Sequence, residues 1–277
     1  MRRVLAAVLA VVAVLVLADF GFAAAAESAI ARQMRDRLAL PEDPATSVGG
    51  PSFLLQAATG RYSSVEVSME RVPIGPLRTP EVQVQLHGVR ASMADLIGGS
   101  AARFRAAAAE GLVRIGPADV RRLAAATGGP AAGIERLAML QVDANEIDRT
   151  VLAGADPTLR GLDPRNAVRF VATLPVDGAT TDVAVLSALV VDPAGAMRIV
   201  PRDVREAETD DGVPAAVRDS LLRAFALRLD PGALPLGVTP TSVTVPEYNI
   251  LQISGARRDL SVGEGEQRGS AARTAGR

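Results

Sequence analysis

The sequence predicts an α+β fold: a curved, mainly antiparallel sheet wrapped on a few helices, forming an elongated apolar groove or cavity, after an N-terminal apolar helix. Three observations lead there. Runs of apolar residues with a period of two dominate the chain, helical patterns are few and led by proline, and residues 1–26 are apolar apart from Arg2, Arg3, Asp19 and the small Gly21.

The N-terminal element comes first. Val4 to Ala18 is an uninterrupted apolar run that as a helix reaches roughly 22 Å, which suits the apolar region of a signal peptide; extended through Ala26 it reaches roughly 34 Å, enough to span a bilayer core of about 30 Å. Ala24-Ala25-Ala26 offers a small-residue cleavage site, while Ile30, Met34 and Leu38 continue a helical spacing beyond it. Residues 1–26 therefore read as a signal peptide or a membrane anchor. Both start export, and Arg2 and Arg3 keep the N-terminus inside.

Residues 27–262 read as the folded α+β domain. Val65, Val67 and Met69 alternate with Ser64, Glu66, Ser68 and Glu70, and Val82, Val84 and Leu86 repeat the pattern against Gln83, Gln85 and His87. Pro73, Gly75, Pro76 and Pro80 make the connection between these two runs too proline-rich for a central strand. Further strands are expected at 104–115, 168–174, 181–191, 197–200, 225–229, 242–245 and 250–254, with Asp192-Pro193-Ala194-Gly195 as a hairpin turn. Helices are expected at Pro117–Ala126, ended by Gly128-Gly129, and at Pro214–Ala224. Ile134–Leu152 is compatible with a helix. Residues 263–277 have no periodicity and read as a disordered tail.

Composition excludes much chemistry. There is no cysteine, tryptophan or lysine, and one histidine, His87. That removes disulfides, thiolate nucleophiles, zinc ribbons, Schiff bases and the P-loop lysine, so no cofactor and no metal site is expected. A formal charge of -1 argues against a nucleic-acid partner. Gly263-x-Gly265-x-x-x-Gly269 has the wrong spacing and context for a dinucleotide fingerprint, Asp210-Asp211 reads as a solvated loop, and His87 has no evident catalytic partner. No catalytic residues are assigned; the chain is not read as an enzyme.

One pattern remains. From Gly50 through Phe53, Leu54 and Gln56 to Gly60, Tyr62 and Val65, then Leu86, Gly88 and Val89, and again over Leu234–Val245, the chain resembles the actinobacterial LmeA-like phospholipid-binding family. The resemblance covers both ends of the chain, and residues 100–225 match only in strand rhythm. Two positions depart from the family pattern. Pro51-Ser52 stands where Phe-Pro is expected, and Tyr248-Asn249 where a glycine turn is expected.

The resemblance implies an exported cell-envelope protein that holds or transfers a phospholipid, phosphatidylinositol-type in the best-known member, in support of envelope lipid or glycolipid maintenance. It implies the membrane and an envelope enzyme as partners. On this reading Phe53, Leu54, Leu55, Leu77, Leu96, Ile97, Leu234 and Leu236 line an apolar rim or wall, and Arg61, Arg78 and Arg90, at expected strand ends, meet a headgroup phosphate. Phe53→Asp is then expected to lower lipid retention without unfolding. Ordinary core packing competes for each leucine and simple solvation for each arginine. A scaffold or chaperone-like envelope partner, docking a protein instead of lipid, is the alternative; a hydrolase or transferase built on Asp143, Glu146 and Asp148 is a further one.

Overall fold

The computed structural model describes residues 2–38, 40–74, 76–92, 95, 104–152, 154–155, 157–176, 178–192, 195–209, 211–229 and 237–262, with side chains from residue 13 onward except at 37, 38, 229 and 262. The expected tail at 263–277 lies outside the described residues. In chain order the elements are α1 (Arg2–Leu38), β1 (Ala45–Gly49), α2 (Phe53–Thr59), β2 (Arg61–Met69), β3 (Glu81–Arg90), β4 (Phe104–Ile115), α3 (Pro117–Ala125), β5 (Arg136–Leu140), α4 (Ala144–Leu152), β6 (Ala167–Val176), β7 (Ala179–Val191), β8 (Met197–Glu206), α5 (Ala215–Ala224), β9 (Arg228–Leu229), β10 (Pro240–Glu247) and β11 (Ile250–Val262). The fold is α+β with two open antiparallel sheets behind an apolar N-terminal helix. Hydrogen bonding orders them β1-β2-β3-β4-β11-β10 and β5-β6-β7-β8-β9.

The chain divides into two units. Unit 1 is Met1–Glu70, Gln83–Glu110 and Arg257–Arg277; unit 2 is Arg71–Val82 and Gly111–Ala256. Strands β3, β4 and β11 each contribute residues to both.

In unit 1 the alternation read from sequence becomes a buried face of Tyr62, Val65, Val67 and Met69 on β2 and of Val84, Leu86 and Val89 on β3. Phe53 closes this core with its ring 6.4 Å from that of Tyr62. Helix α2 starts there and shows how α1 is held. An α-helix cannot satisfy its own first backbone amides. The amides of Phe53 and Leu54 donate to the Asp19 carboxylate at 3.0 and 2.7 Å, the Ser52 hydroxyl donates to the same group at 2.9 Å, and Ser52 Oγ accepts from the Leu55 amide. Ser52, one of the departures from the family pattern, is thus an N-cap. At the other end Gly60 ends α2 in the left-handed region at φ 63°, where a Cβ would also come within 3.0 Å of the Ala91 carbonyl oxygen. Further along α1 the amide of Val48 donates to Glu27 Oε1 at 2.8 Å, and Ala26 and Ala31 are buried. By length and composition, Ala13–Asp36 of this helix is sufficient to cross a membrane.

Unit 2 is built on β7. Val183–Leu189 is buried at every position, so both faces of the strand are covered. Leu186 packs with Val142, Ile147, Val151 and Leu159 beneath α4. Phe170, paired with Val185 across β6 and β7, stacks on Phe225 with ring centroids 4.7 Å apart. That burial corrects one expectation: Phe225 caps α5, and the strand expected at 225–229 shrinks to Arg228–Leu229. Ile134–Leu152 is likewise not one helix, because β5 pairs along β6 from Arg136↔Thr173 to Leu140↔Arg169 before α4 begins. The second departure from the family pattern also finds its role. Asn249 takes φ 64°, as a glycine would, between β10 and β11, and pairs with Met139 through N–H···O at 2.8 Å and its own Oδ1 at 2.9 Å.

Asp119, on α3, is fully buried. It accepts from the amides of Arg78 and Thr79 at 2.9 and 3.0 Å, from the Thr79 hydroxyl, and from Arg122. Burial alone would push its carboxyl up; the Arg78 and Thr79 amides and the Arg122 guanidinium outweigh it and hold the group below the usual range. Because the folded value is depressed, the stabilisation is complete above the unfolded value near 4 and is lost as pH falls through the folded one. Asp119→Asn is expected to cost about 2–3 kcal/mol in urea denaturation at pH 7. The gap to wild type should begin to narrow below about pH 4, as the unfolded chain takes up the proton, and close only as pH falls through the lower native value.

Candidate functional site

Neighbouring antiparallel strands bring the start of one beside the end of the next. In unit 1 this gathers the start of β2, the end of β3, the start of β4 and the end of β11 at one end of the sheet, where they line a cleft of about 610 Å³. Arg61, Arg90 and Arg105 stand around it, with Val89, Ala106 and Leu260 as apolar lining and Asp259 and Ser261 contributed by β11. The three arginines are exposed, and among the described residues none of them has an ion pair or a side-chain hydrogen bond. One carboxylate, Asp259, held at φ 52°, accompanies three guanidinium groups. The balance favours an anion. Guanidinium forks suit phosphate oxygens, which accept their parallel N–H donors in pairs.

Gly88 gives this cleft its shape. It sits at φ 60°, where the buried–exposed alternation of β3 shifts phase between His87 and Val89, and a Cβ there would lie 3.1 Å from the Ala107 Cβ. The glycine lets β3 approach β4 closely beneath the arginines.

Of the residues expected from sequence, the structure brings Arg61 and Arg90 together. Arg105 joins them and was missed; its position at the head of an alanine run, opening β4, was the available signal. Arg78 belongs to unit 2 and does not line this cleft; its side chain is exposed while its amide serves Asp119. Phe53 is 4% exposed and belongs to the core, Leu54 is half-buried, and Leu55 is 62% exposed. Leu77 is buried in unit 2, where it and Ile74 exchange backbone hydrogen bonds across the proline-rich loop. Leu96, Ile97, Leu234 and Leu236 lie outside the described residues, as do Asp210 and the glycines of 263–269.

The carboxylates considered for catalysis have structural partners. Asp143 accepts from the Glu146 amide at 2.7 Å, Glu146 pairs with Arg169 at 2.9 Å, and Asp148 lies 3.9 Å from Arg160. His87, on the solvent side of β3, is 3.9 Å from Glu110. A second cleft, of about 570 Å³ in unit 2, is lined by Arg121, Arg136, Thr173, Asp182 and Tyr248 among others. There Arg121 is committed to the Glu135 carbonyl and Asp182 to the Thr173 hydroxyl.

A family model described as LmeA-like phospholipid-binding matches residues 17–251. No curated protein and no solved structure matches the chain.

Two substitutions separate fold from surface. Phe53→Asp places a charge in the unit 1 core against Tyr62, so it is expected to unfold that unit instead of leaving it intact, seen as loss of the cooperative thermal transition. Gly88→Val, forced into a left-handed backbone against Ala107, is expected to cost about 1–3 kcal/mol in the same measurement.

Proposed function

This chain belongs to the LmeA-like phospholipid-binding family, and from that premise we propose that it holds a phospholipid by its phosphate in the unit 1 cleft, through Arg61, Arg90 and Arg105. The observation that carries the reading is the grouping around one recess of three arginines that have no ion pair or side-chain hydrogen bond among the described residues. A phosphodiester offers two unesterified oxygens, so two guanidinium forks can engage it while the third meets a further headgroup oxygen. Asp259 and Ser261, on the same rim, are suited to donors such as the hydroxyls of a polyol headgroup, which favours a phosphatidylinositol-type lipid.

The acyl chains supply the reason for a protein carrier. A two-chain lipid exposes on the order of 30 methylenes, and at about 0.8 kcal/mol each the gross cost of leaving them in water exceeds 20 kcal/mol. Apolar surface next to the phosphate site is therefore required to shelter them. The role is to hold or pass on lipid without chemistry upon it. The apolar α1, with Arg2 and Arg3 at its start, supports export to the cell envelope, where a membrane and an envelope enzyme are the partners proposed.

The proposal is tested by native mass spectrometry with lipid extraction on the protein and its arginine variants. Each of Arg61→Ala, Arg90→Ala and Arg105→Ala is expected to weaken retention of phosphatidylinositol about ten- to a hundredfold, since a charge-assisted contact contributes about 1.5–3 kcal/mol. A triple variant that folds and keeps the wild-type lipid content would overturn the assignment. Absence of any copurifying lipid together with a stable protein partner would favour the scaffold reading.

A further inference from the structure

Helix α1 runs unbroken from Arg2 to Leu38, yet it has two different surroundings. From Asp19 onward it is tied to unit 1 through the Asp19 carboxylate on Ser52, Phe53 and Leu54, through Glu27 on Val48, and through the buried Ala26 and Ala31. Before Asp19, Val14, Leu15, Val16 and Leu17 are exposed, between 48% and 71% of each side chain lying open. Cleavage after Ala26 would remove Asp19 and leave the first two amides of α2 without their acceptor. The range matched by the family model, which begins at residue 17, includes Asp19.

Length then determines where a bilayer meets the folded unit. Val4 to Ala18 reaches roughly 22 Å as a helix, about 8 Å short of a hydrocarbon core. A span that is too short draws the lipid surface along it. The next turn carries Phe20 and Phe22, 70% and 59% exposed. Asp19 lies in the same turn, but its carboxylate is turned to the start of α2. That helix, Phe-Leu-Leu-Gln-Ala-Ala-Thr, bears no charge, and Leu55 on its first turn is 62% exposed. An uncharged helix with an open leucine, fixed at the level where the apolar stalk ends, suits the layer between headgroups and acyl chains.

We propose that α1 is retained as a membrane stalk and that the Asp19 junction seats α2, with Leu55 foremost, in the interfacial layer of a phospholipid bilayer. This goes beyond the lipid-holding reading, since it identifies the surface by which the folded unit meets the membrane.

The chain has no tryptophan, so Leu55→Trp introduces a single indole, excited selectively at the red edge away from the two tyrosines. The full chain carrying it is reconstituted in phosphatidylcholine–phosphatidylglycerol vesicles with or without acyl-brominated phosphatidylcholine. A blue-shifted emission, most of which is lost with the brominated lipid, is expected. With Asp19→Ala added, the chain should still float with the vesicles but escape quenching. Unquenched emission from vesicle-bound Leu55→Trp overturns the seating, and quenching that survives Asp19→Ala overturns the role of the junction. Should the indole disturb folding, Leu55→Cys carrying an environment-sensitive dye gives the same readout in this cysteine-free chain. Intact mass of the protein extracted from the envelope should include α1; an N-terminus beyond Asp19 overturns retention. Lipid content measured in parallel keeps the two readings apart: normal lipid with unquenched emission sinks the seating alone, and quenched emission without bound lipid sinks the lipid-holding reading alone.

Discussion

The carboxylate of Asp19 takes the two backbone amides that open α2, and the arrangement of unit 1 depends on it. A seven-residue helix has almost no stability of its own, because nucleation fixes several residues for very few hydrogen bonds. With Asp19 on its first amides, Ser52 on the third and Gly60 at its end, both termini are satisfied and Phe53 is delivered onto Tyr62. The same contact fixes α1 to α2. One acidic residue in an apolar helix thereby joins the hydrophobic N-terminus to the fold.

The cleft depends on a different principle, the placement of charge by topology. Arginines at the start or end of adjacent antiparallel strands arrive together without any of them needing a specific local structure. Without an ion pair among the described residues, they contrast with Arg122, Arg169 and Arg205, which are committed to Asp119, Glu146 and Asp203. Charge at the cleft remains available, whereas the charge of those three holds the fold.

Period-two runs were legible wherever one face of a strand is solvated: Val65, Val67 and Met69 alternate in sequence and are buried in fact. The proline and the glycine pair around 117–129 marked α3 for the same local reason. β5 was not legible. Arg-Leu-Ala-Met-Leu consists of good helix formers, and only pairing with β6 makes it a strand, a contact distant in sequence. Two of the cleft's arginines were anticipated from strand ends, but Arg78 could not be told from them, since a strand end does not say which unit it serves. Asp19 and Asp119 were missed as structural acceptors because both act on backbone amides remote in sequence, 34 or more residues away. Asp19 could be read only as a charge beside a span.

Unit 1 is assembled from three stretches of chain, and its last strand segment comes after Ala256, on the far side of all of unit 2. Closing so long an intervening loop is entropically costly, and contacts this distant in sequence form late. During synthesis the N-terminal part of unit 1 therefore waits, with the β4 edge unpaired, until β11 has emerged. Unpaired edges recruit other strands. A unit whose early-made portion is completed by a strand made after all of unit 2 stays open through most of its synthesis, and a break directly before Arg257 would damage unit 1 more than the unit in which it falls.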